Sequence, residues 1–496
     1  MKPARWLAAT GLALACIAAP AHVGSPDVYA EGQAGPYQLN VVIRPPLVIP
    51  GVAEVEVRSE MPGITGIEIT PVPLTGEASQ HPPVPDAMTP AAGDSQSYTG
   101  HLWIMRTGSW QIRFTVSGAK GPGALSIPFP ATALATRTME PGMGAGLAGL
   151  GLLLLAGMVG ITGAAAREAK LKAGAAVPQA NRKRGYAVMA VTVAVLVSTV
   201  VLGNAWWKAE AAGYSGYVYK PLEMKAALEP GNVLALNLSE PGWLEFRKLD
   251  DFIPDHDHLM HLYMIRWPQM DAVYHLHPDP VTTGQFQLEL PSVPAGEYRL
   301  YADVVHSQGF PETLMGSVML PGIAGRALAG DDAAGQDAPV SAAGPAHGEQ
   351  RFELPDEYTM VWKVPPSLTA KTPYDFRFEL LDPQGKPARD MALYMGMLGH
   401  AAFVKTDGTV FAHVHPNGTM AMAAFMMANP QSGMNTAPEG ASMPAMNMAN
   451  AGSGLPSEVS FPYGFPSVGR YRIFVQMKHG ATVETGVFDA MCGAPQ

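Results

Sequence analysis

Residues 254–278 read PDHDHLMHLYMIRWPQMDAVYHLHP and hold five histidines, with His275-Leu276-His277 the tightest group. In an extended strand residues i and i+2 share a face, so both imidazoles of an HxH pair can reach one ion. Pro278 removes a ladder donor and ends that strand. Upstream, His258 and His261 flank Met260 at the start of a second apolar run, LYMI. The chain then repeats the design in residues 395–416, MGMLGHAAFVKTDGTVFAHVHP. His400 stands against His261, His413 against His275 and His415 against His277, while Met397 takes the place of His258. The copies run on: GEYRLYADVVH ends at His306 and GRYRIFVQMKH at His479, with a Tyr-to-His spacing of eight in both. Five potential ligand positions recur in order, which marks an internal duplication.

The copies differ in one place. From His277 to His306 the chain runs 29 residues, and from His415 to His479 it runs 64. The surplus falls in residues 419–454, TMAMAAFMMANPQSGMNTAPEGASMPAMNMANAGSG, where Met420, Met422, Met426, Met427, Met434, Met443, Met446 and Met448 cluster. Its Gly, Pro and Asn content predicts a mobile loop beside the HxH site.

A chain of 496 residues with 53 Gly and 46 Pro suits several domains of short strands joined by turns. The net charge of −10 argues against a nucleic-acid partner. Lys2 and Arg5, the apolar run that follows and Ala19-Pro20-Ala21 predict a signal peptide over residues 1–21. After its removal only Cys492 is left, so neither a disulfide nor a multi-thiolate metal site is available. Two apolar runs, 143–166 and 185–207, have the length of transmembrane helices. The loop between them, 167–184, carries Arg167, Lys170, Lys172, Arg182, Lys183 and Arg184 against Glu168 alone. The positive-inside rule makes that loop cytoplasmic and leaves the rest outside the cell membrane, on the periplasmic side in a bacterium.

The fold expected is mainly β: three extracytoplasmic β-sandwich domains plus two transmembrane helices. Alternating runs such as YQLNVVI, AEVEVRS and WQIRFTV place the first sandwich at 35–136. Its His81 and His101 lie far apart and read as surface residues. The second sandwich is expected at 215–322 and the third at 351–491, with its Met-rich loop at 420–450. A small, polar linker, 323–350, lacks anything to bury.

Imidazole suits zinc, copper, iron and nickel, and thioether favours Cu(I). Histidines on duplicated strands beside a methionine loop therefore favour copper over zinc. The candidate metal ligands are His258, His261, His275, His277 and His306 in one copy, and Met397, His400, His413, His415 and His479 in the other. Each copy is expected to hold one site. Without an ion, the same histidines would serve as hydrogen-bonded partners of carboxylates such as Asp255, Asp257 and Asp303.

GPYQLNVVIRPP and GSWQIRFTV in the first domain, with the HxHP and YRLYADVVH patterns later, resemble bacterial membrane proteins whose exported β-sandwich modules are called YtkA-like or FixH-like. Copper-handling sandwiches of the CopC kind share only the ligand type. A membrane-anchored periplasmic metal-binding protein is therefore expected, sequestering, sensing or delivering copper to a periplasmic or membrane partner. The resemblance also implies an alternative, a metal-free scaffold for a membrane complex. A cupin-like metal enzyme is a third reading, although the Glu that a cupin places shortly after its HxH has no counterpart beside His277 or His415. No Ser-His-Asp set, phosphate loop or nucleotide fingerprint points to another enzyme class.

Overall fold

Strict alternation of apolar and polar residues builds the first sandwich. Strands Val28–Ala34, Tyr37–Arg44, Gly51–Ser59, Asp94–Ile104 and Thr89–Ala91 form one antiparallel sheet. Asp86–Ala87, Ile64–Pro73, Gly108–Gly118 and Gly123–Ala131 form the other. Leu39, Val41, Ile43, Val55 and Val57 meet Ile67, Ile69, Ile112, Phe114 and Ile127 in the core between them. This computed structural model describes residues 26–172, 174–243, 247–340, 348–430 and 454–495. The signal peptide, part of the linker and the methionines from Met434 to Met448 lie outside the described residues. The protein is mainly β, with six antiparallel sheets in a sandwich-like layout.

Two helices follow the first sandwich, α1 (Pro141–Glu168) and α2 (Gln179–Ser215). Both are long and apolar enough to cross a membrane, and almost none of their surface is covered by protein. They pack as a hairpin: Gly163 makes room for Met189, and the Thr162 and Thr192 hydroxyls meet at 3.1 Å. The helices extend past both expected spans, so Arg182, Lys183 and Arg184 sit on the first turns of α2.

The two His-bearing modules share a strand plan. In the second, Gly296–His306 pairs with Phe252–Ile253 and His261–Trp267 on one edge and Pro311–Leu320 on the other, and Ala272–Leu276 extends the sheet. In the third, Gly469–His479 pairs in the same way with Met391–Ala392, His400–Lys405 and Thr482–Cys492, and Phe411–Val414 extends the sheet. Each module covers one face of this sheet with its own second sheet. In the second module that closes a core around Leu262, Met264, Leu300 and Leu236. In the third it closes one around Ala401, Phe403, Ile473 and Phe376.

The other faces of the two site-bearing sheets pack against each other. Tyr263, Ile265, Val273 and Tyr301 meet Ala402, Val404, Phe411 and Phe474 in a shared apolar layer. Tyr301 and Phe411 stack with ring centroids 4.3 Å apart. This explains why His261–Trp267 is buried on both sides over its first five residues, where a lone sandwich would alternate.

Two segments differ from the sequence expectation. Within the linker, Ala333–Gln336 forms a strand paired with Ala272–Leu276, so this stretch is part of the second module's sheet. Small residues suit that place, because a Cβ at Gly335 would lie 2.7 Å from the Thr485 side chain of the third module. The Met-rich insert begins with a short helix, α3 (Met422–Ala428). Met420, Met422 and Phe425 are buried in the first sandwich's apolar core, which overrides the loop-like composition. Beside α3 the turn at Gly418 pairs with the strand Val28–Ala34: Glu31 donates to the Asn417 carbonyl at 2.8 Å, and Thr419 donates to that of Tyr29 at 2.9 Å.

Candidate metal centre

Period-2 geometry decides which side chains meet. His261 leads its strand, and the hairpin to Ala272–Leu276 sets Tyr263 opposite His275. His261, His275 and His277 therefore project from the face that meets the third module. The same geometry applies to His400, His413 and His415. The two faces oppose each other, so both sets run together between the modules.

The cluster is continuous. His261, His275 and His277 can bring one ring nitrogen each within 4.8 Å of one another, and so can His256, His400 and His415. His413 bridges the triads, with ring centroids 5.6 Å from His261, 5.5 Å from His275 and 4.5 Å from His415. His258 stacks on His277 at 3.8 Å and keeps Nε2 3.3 Å from Asp331.

The modules trade partners across their interface. His275 Nδ1 bonds the Gln476 carboxamide oxygen of the third module at 2.8 Å. In reciprocal fashion, His413 Nδ1 bonds Asp303 of the second module at 3.2 Å. Asp303 and Gln476 are equivalent, since the first pairs with His261 and the second with His400. Each leading histidine of an HxH pair is thus oriented by the other module, an arrangement that fixes a ring's tautomer and direction.

His256 is the residue that duplication alone misses. It sits with Asp257 at positive φ, 50° and 69°, in the centre of a two-residue turn closed by Asp255 and His258. The geometry is that of a type I′ turn. The third module repeats the turn between Tyr394 and Met397, with Met395 at φ 49° where His256 stands. Because the modules face each other, the second module's turn carries His256 into the third module's triad, with rings 5.2 Å from His400 and 5.0 Å from His415. The third module's turn carries Tyr394 to the second, where its hydroxyl lies 3.3 Å from His275 Nδ1. The sequence signal was available: His256 is one of the five histidines in the opening stretch, but its partners lie in the other copy.

Three candidates fall elsewhere. His306 and His479 lie three residues beyond Asp303 and Gln476 on their strands, which turns them to the opposite sheet face. There His306 contacts Asp251 at 2.6 Å and Glu312 at 3.2 Å, and His479 contacts Asp356 and Asp390. Met397 is buried in the apolar core with Met420 and Met422. The linker, in turn, supplies residues not foreseen. Asp332 bonds His277 Nδ1 at 3.2 Å, and the Asp331 carbonyl accepts from Tyr394 at 2.7 Å. His81 and His101 are exposed, as expected. Cys492 is buried, and burial pushes its thiol up to about 11, so it is not poised as a thiolate.

Electrostatically, the buried rings of the two triads favour the neutral form. Burial, with neighbouring imidazoles adding to it, holds His261, His275, His400 and His415 well below the ordinary histidine value. Burial also lowers His256 and His277. Neutral imidazole is the form that ligates metal. Several buried ring nitrogens have no hydrogen-bond partner: Nε2 of His256, His277, His413 and His415, and both nitrogens of His400. Each such group costs about 1–3 kcal/mol if nothing binds it. A cavity of about 490 Å³ reaches the cluster, with Asp255, His261, Asp303, His413 and His415 on its wall and residues of all three domains around it.

A family model described as a domain of unknown function (DUF8832) matches residues 353–493, which is the third module. No curated protein matches the chain. Among solved structures, the tetra-tandem repeat of a large adhesion protein is 8% identical over 90% of this chain and 97% of that one, with a TM-score of 0.16. Domains 1–6 of the surface layer protein SbsC are 9% identical over 90% of this chain and 53% of that one, with a TM-score of 0.14. These likenesses carry no functional inference.

Proposed function

We propose that this is a membrane-anchored metal-binding protein whose two His modules together hold copper between them. The observation that supports this reading is the set of buried imidazole nitrogens left without partners in the cluster, on His256, His400 and His415 of one triad, on the bridging His413 and on His277 of the other triad. A purely structural histidine cluster would satisfy those nitrogens with carboxylates or carbonyls, as His306 is satisfied by Asp251 and Glu312. An all-imidazole donor set beside buried methionines suits copper ahead of zinc. The modules then lie on the periplasmic side of a bacterial inner membrane, with the basic turn between α1 and α2 inside. There the protein sequesters, senses or delivers the ion to a copper-handling partner.

The cavity favours a second reading, a metal-dependent enzyme acting on a small, largely apolar molecule admitted to the histidines. One experiment addresses both. The full chain in detergent is loaded with Cu(I), Cu(II) or Zn(II), desalted and analysed for bound metal. Binding of copper that the double variant His400→Ala, His415→Ala loses supports the metal centre. Equal metal content in the two proteins sinks it and leaves a scaffold. Copper-dependent turnover of small phenols or other apolar reductants, monitored as oxygen uptake, would favour the enzyme.

A further inference from the structure

The modules repeat a second polar group on the sheet face away from the histidine cluster, and the repeat is unequal in charge. In the second module His306 lies between Asp251 and Glu312. Glu312 is neutralised by Arg247 at 2.8 Å, both side chains being wholly buried, and the Leu222 amide and Tyr219 hydroxyl also donate to it. Strand register locates the same group in the third module. Phe252 pairs with His306 as Met391 pairs with His479, so Asp390 stands for Asp251. Val304 pairs with Glu312 as Met477 pairs with Glu484, so Glu484 stands for Glu312.

Among the described residues no guanidinium pairs with the third module's group. Beside His479 the third module presents a further acid, Asp356. Among the described residues no Lys or Arg is ion-paired with Asp356, Asp390 or Glu484, and Glu484, a residue only 7% exposed, accepts no hydrogen bond on its carboxylate. His479 Nδ1 is held by Asp390 at 3.3 Å. Its Nε2 is buried and lies 2.8 Å from Asp356 Oδ2, but off the N–H axis, so that it forms no hydrogen bond. Tyr358 stacks on the imidazole at 3.9 Å and donates its hydroxyl to Asp390. Three carboxylates around one ring leave a site short of positive charge.

We propose that the third module binds a zinc-class divalent cation between Nε2 of His479 and the carboxylates of Asp356 and Glu484. The three ligand atoms lie within 4.8 Å of one another. A short contraction would bring them to the roughly 3.4 Å separation of donors on a tetrahedral ion with bonds of about 2.1 Å. Asp390 on Nδ1 is the orienting partner that ligating histidines commonly have. The fourth position is open to water. Burial, with the Asp356 carboxylate adding to it, pushes Glu484 up to about 7. This site is independent of the histidine cluster and survives if that cluster binds nothing.

The test compares zinc content per chain and zinc-dependent thermal stabilisation for the full-length protein in detergent, stripped with chelator and reloaded with Zn(II). Asp356→Asn and Glu484→Gln should each bind one zinc fewer than the parent, with affinity for that ion weakened at least tenfold. Asp356→Arg should melt higher than the parent without metal and gain less from zinc. Glu484→Gln probes the buried position; the half-exposed Asp356 position keeps the test available if that variant does not fold. Identical zinc counts in the parent and Asp356→Asn overturn the proposal.

Discussion

At the scale of single residues, the cluster assigns unequal weights to neighbours that look alike in sequence. His256 has a free Nε2 among His400 and His415, whereas His258 is stacked and tied to Asp331 at the rim. His256→Ala should therefore lower copper affinity at the third module's triad at least tenfold, and His258→Ala should do much less. Competition with a chelator of known affinity measures both; the reverse order would refute the cross-donated triad. The depressed histidines also set a pH dependence. A group whose folded pKa lies below its unfolded value near 6.5 takes up a proton more readily when unfolded. The metal-free protein should thus keep its full stability above about pH 6.5 and lose it as pH falls below that value. Glu484 acts in the opposite sense, its contribution fading as pH rises toward 7. The raised carboxyls of Asp27, Glu31 and Asp375 share that sense, against six depressed histidines of which four are held well below the ordinary value. Thermal unfolding with chelator at pH 7.5, 6.5 and 5.5 checks this, and a flat profile contradicts it.

At the scale of elements, the apolar layer between the sheets holds the triads in register. Phe411→Ala removes the stack on Tyr301 and should cost about 3–5 kcal/mol of stability. Tyr263→Phe should cost little or stabilise slightly, because the buried Tyr263 hydroxyl has no partner. Chemical denaturation of the metal-free protein separates the two, and a large loss in Tyr263→Phe would mean that the hydroxyl matters. Much at this scale was legible in the sequence. HxHP ends a strand, the LYMI run returns alongside it, and equal Tyr-to-His spacings foretold matching long strands. Period-2 reasoning gave the shared face of His275 and His277. It could not give what that face meets, because an interface between two sandwiches reads like a core. The Met420–Met427 run looked loop-like because composition reports local preference, while docking on the first sandwich supplies the burial that makes α3. The linker misled for the same reason: Asp331 and Asp332 bury nothing alone and meet His258, His277, Arg326 and Tyr394 only in the folded modules.

At the scale of the molecule, three sandwich-like units converge on one place. The first sandwich docks through Gly418, where an added Cβ would come within 1.8 Å of the Tyr29 carbonyl oxygen at φ 120°. Gly418→Ala should therefore loosen the first domain from the third, read as faster protease cleavage near residue 430 and a lower melting temperature. Unchanged cleavage would show that the contact is dispensable. Topology is tested in spheroplasts: added protease should cut the sandwiches and spare the turn at residues 169–178. Cleavage of that turn from outside would invert the placement.

The exchange of His256 and Gln476 between modules has a consequence for biogenesis. A nascent chain makes His256, His261, His275 and His277 first, but Gln476, which aims His275, follows only after the linker and most of the third module. A chain still emerging therefore displays imidazoles without a finished pocket, and under the proposed metal-binding role ion capture would be a late event that certifies completed, correctly paired modules. Truncated chains should fail that inspection even when every histidine of the second module is present.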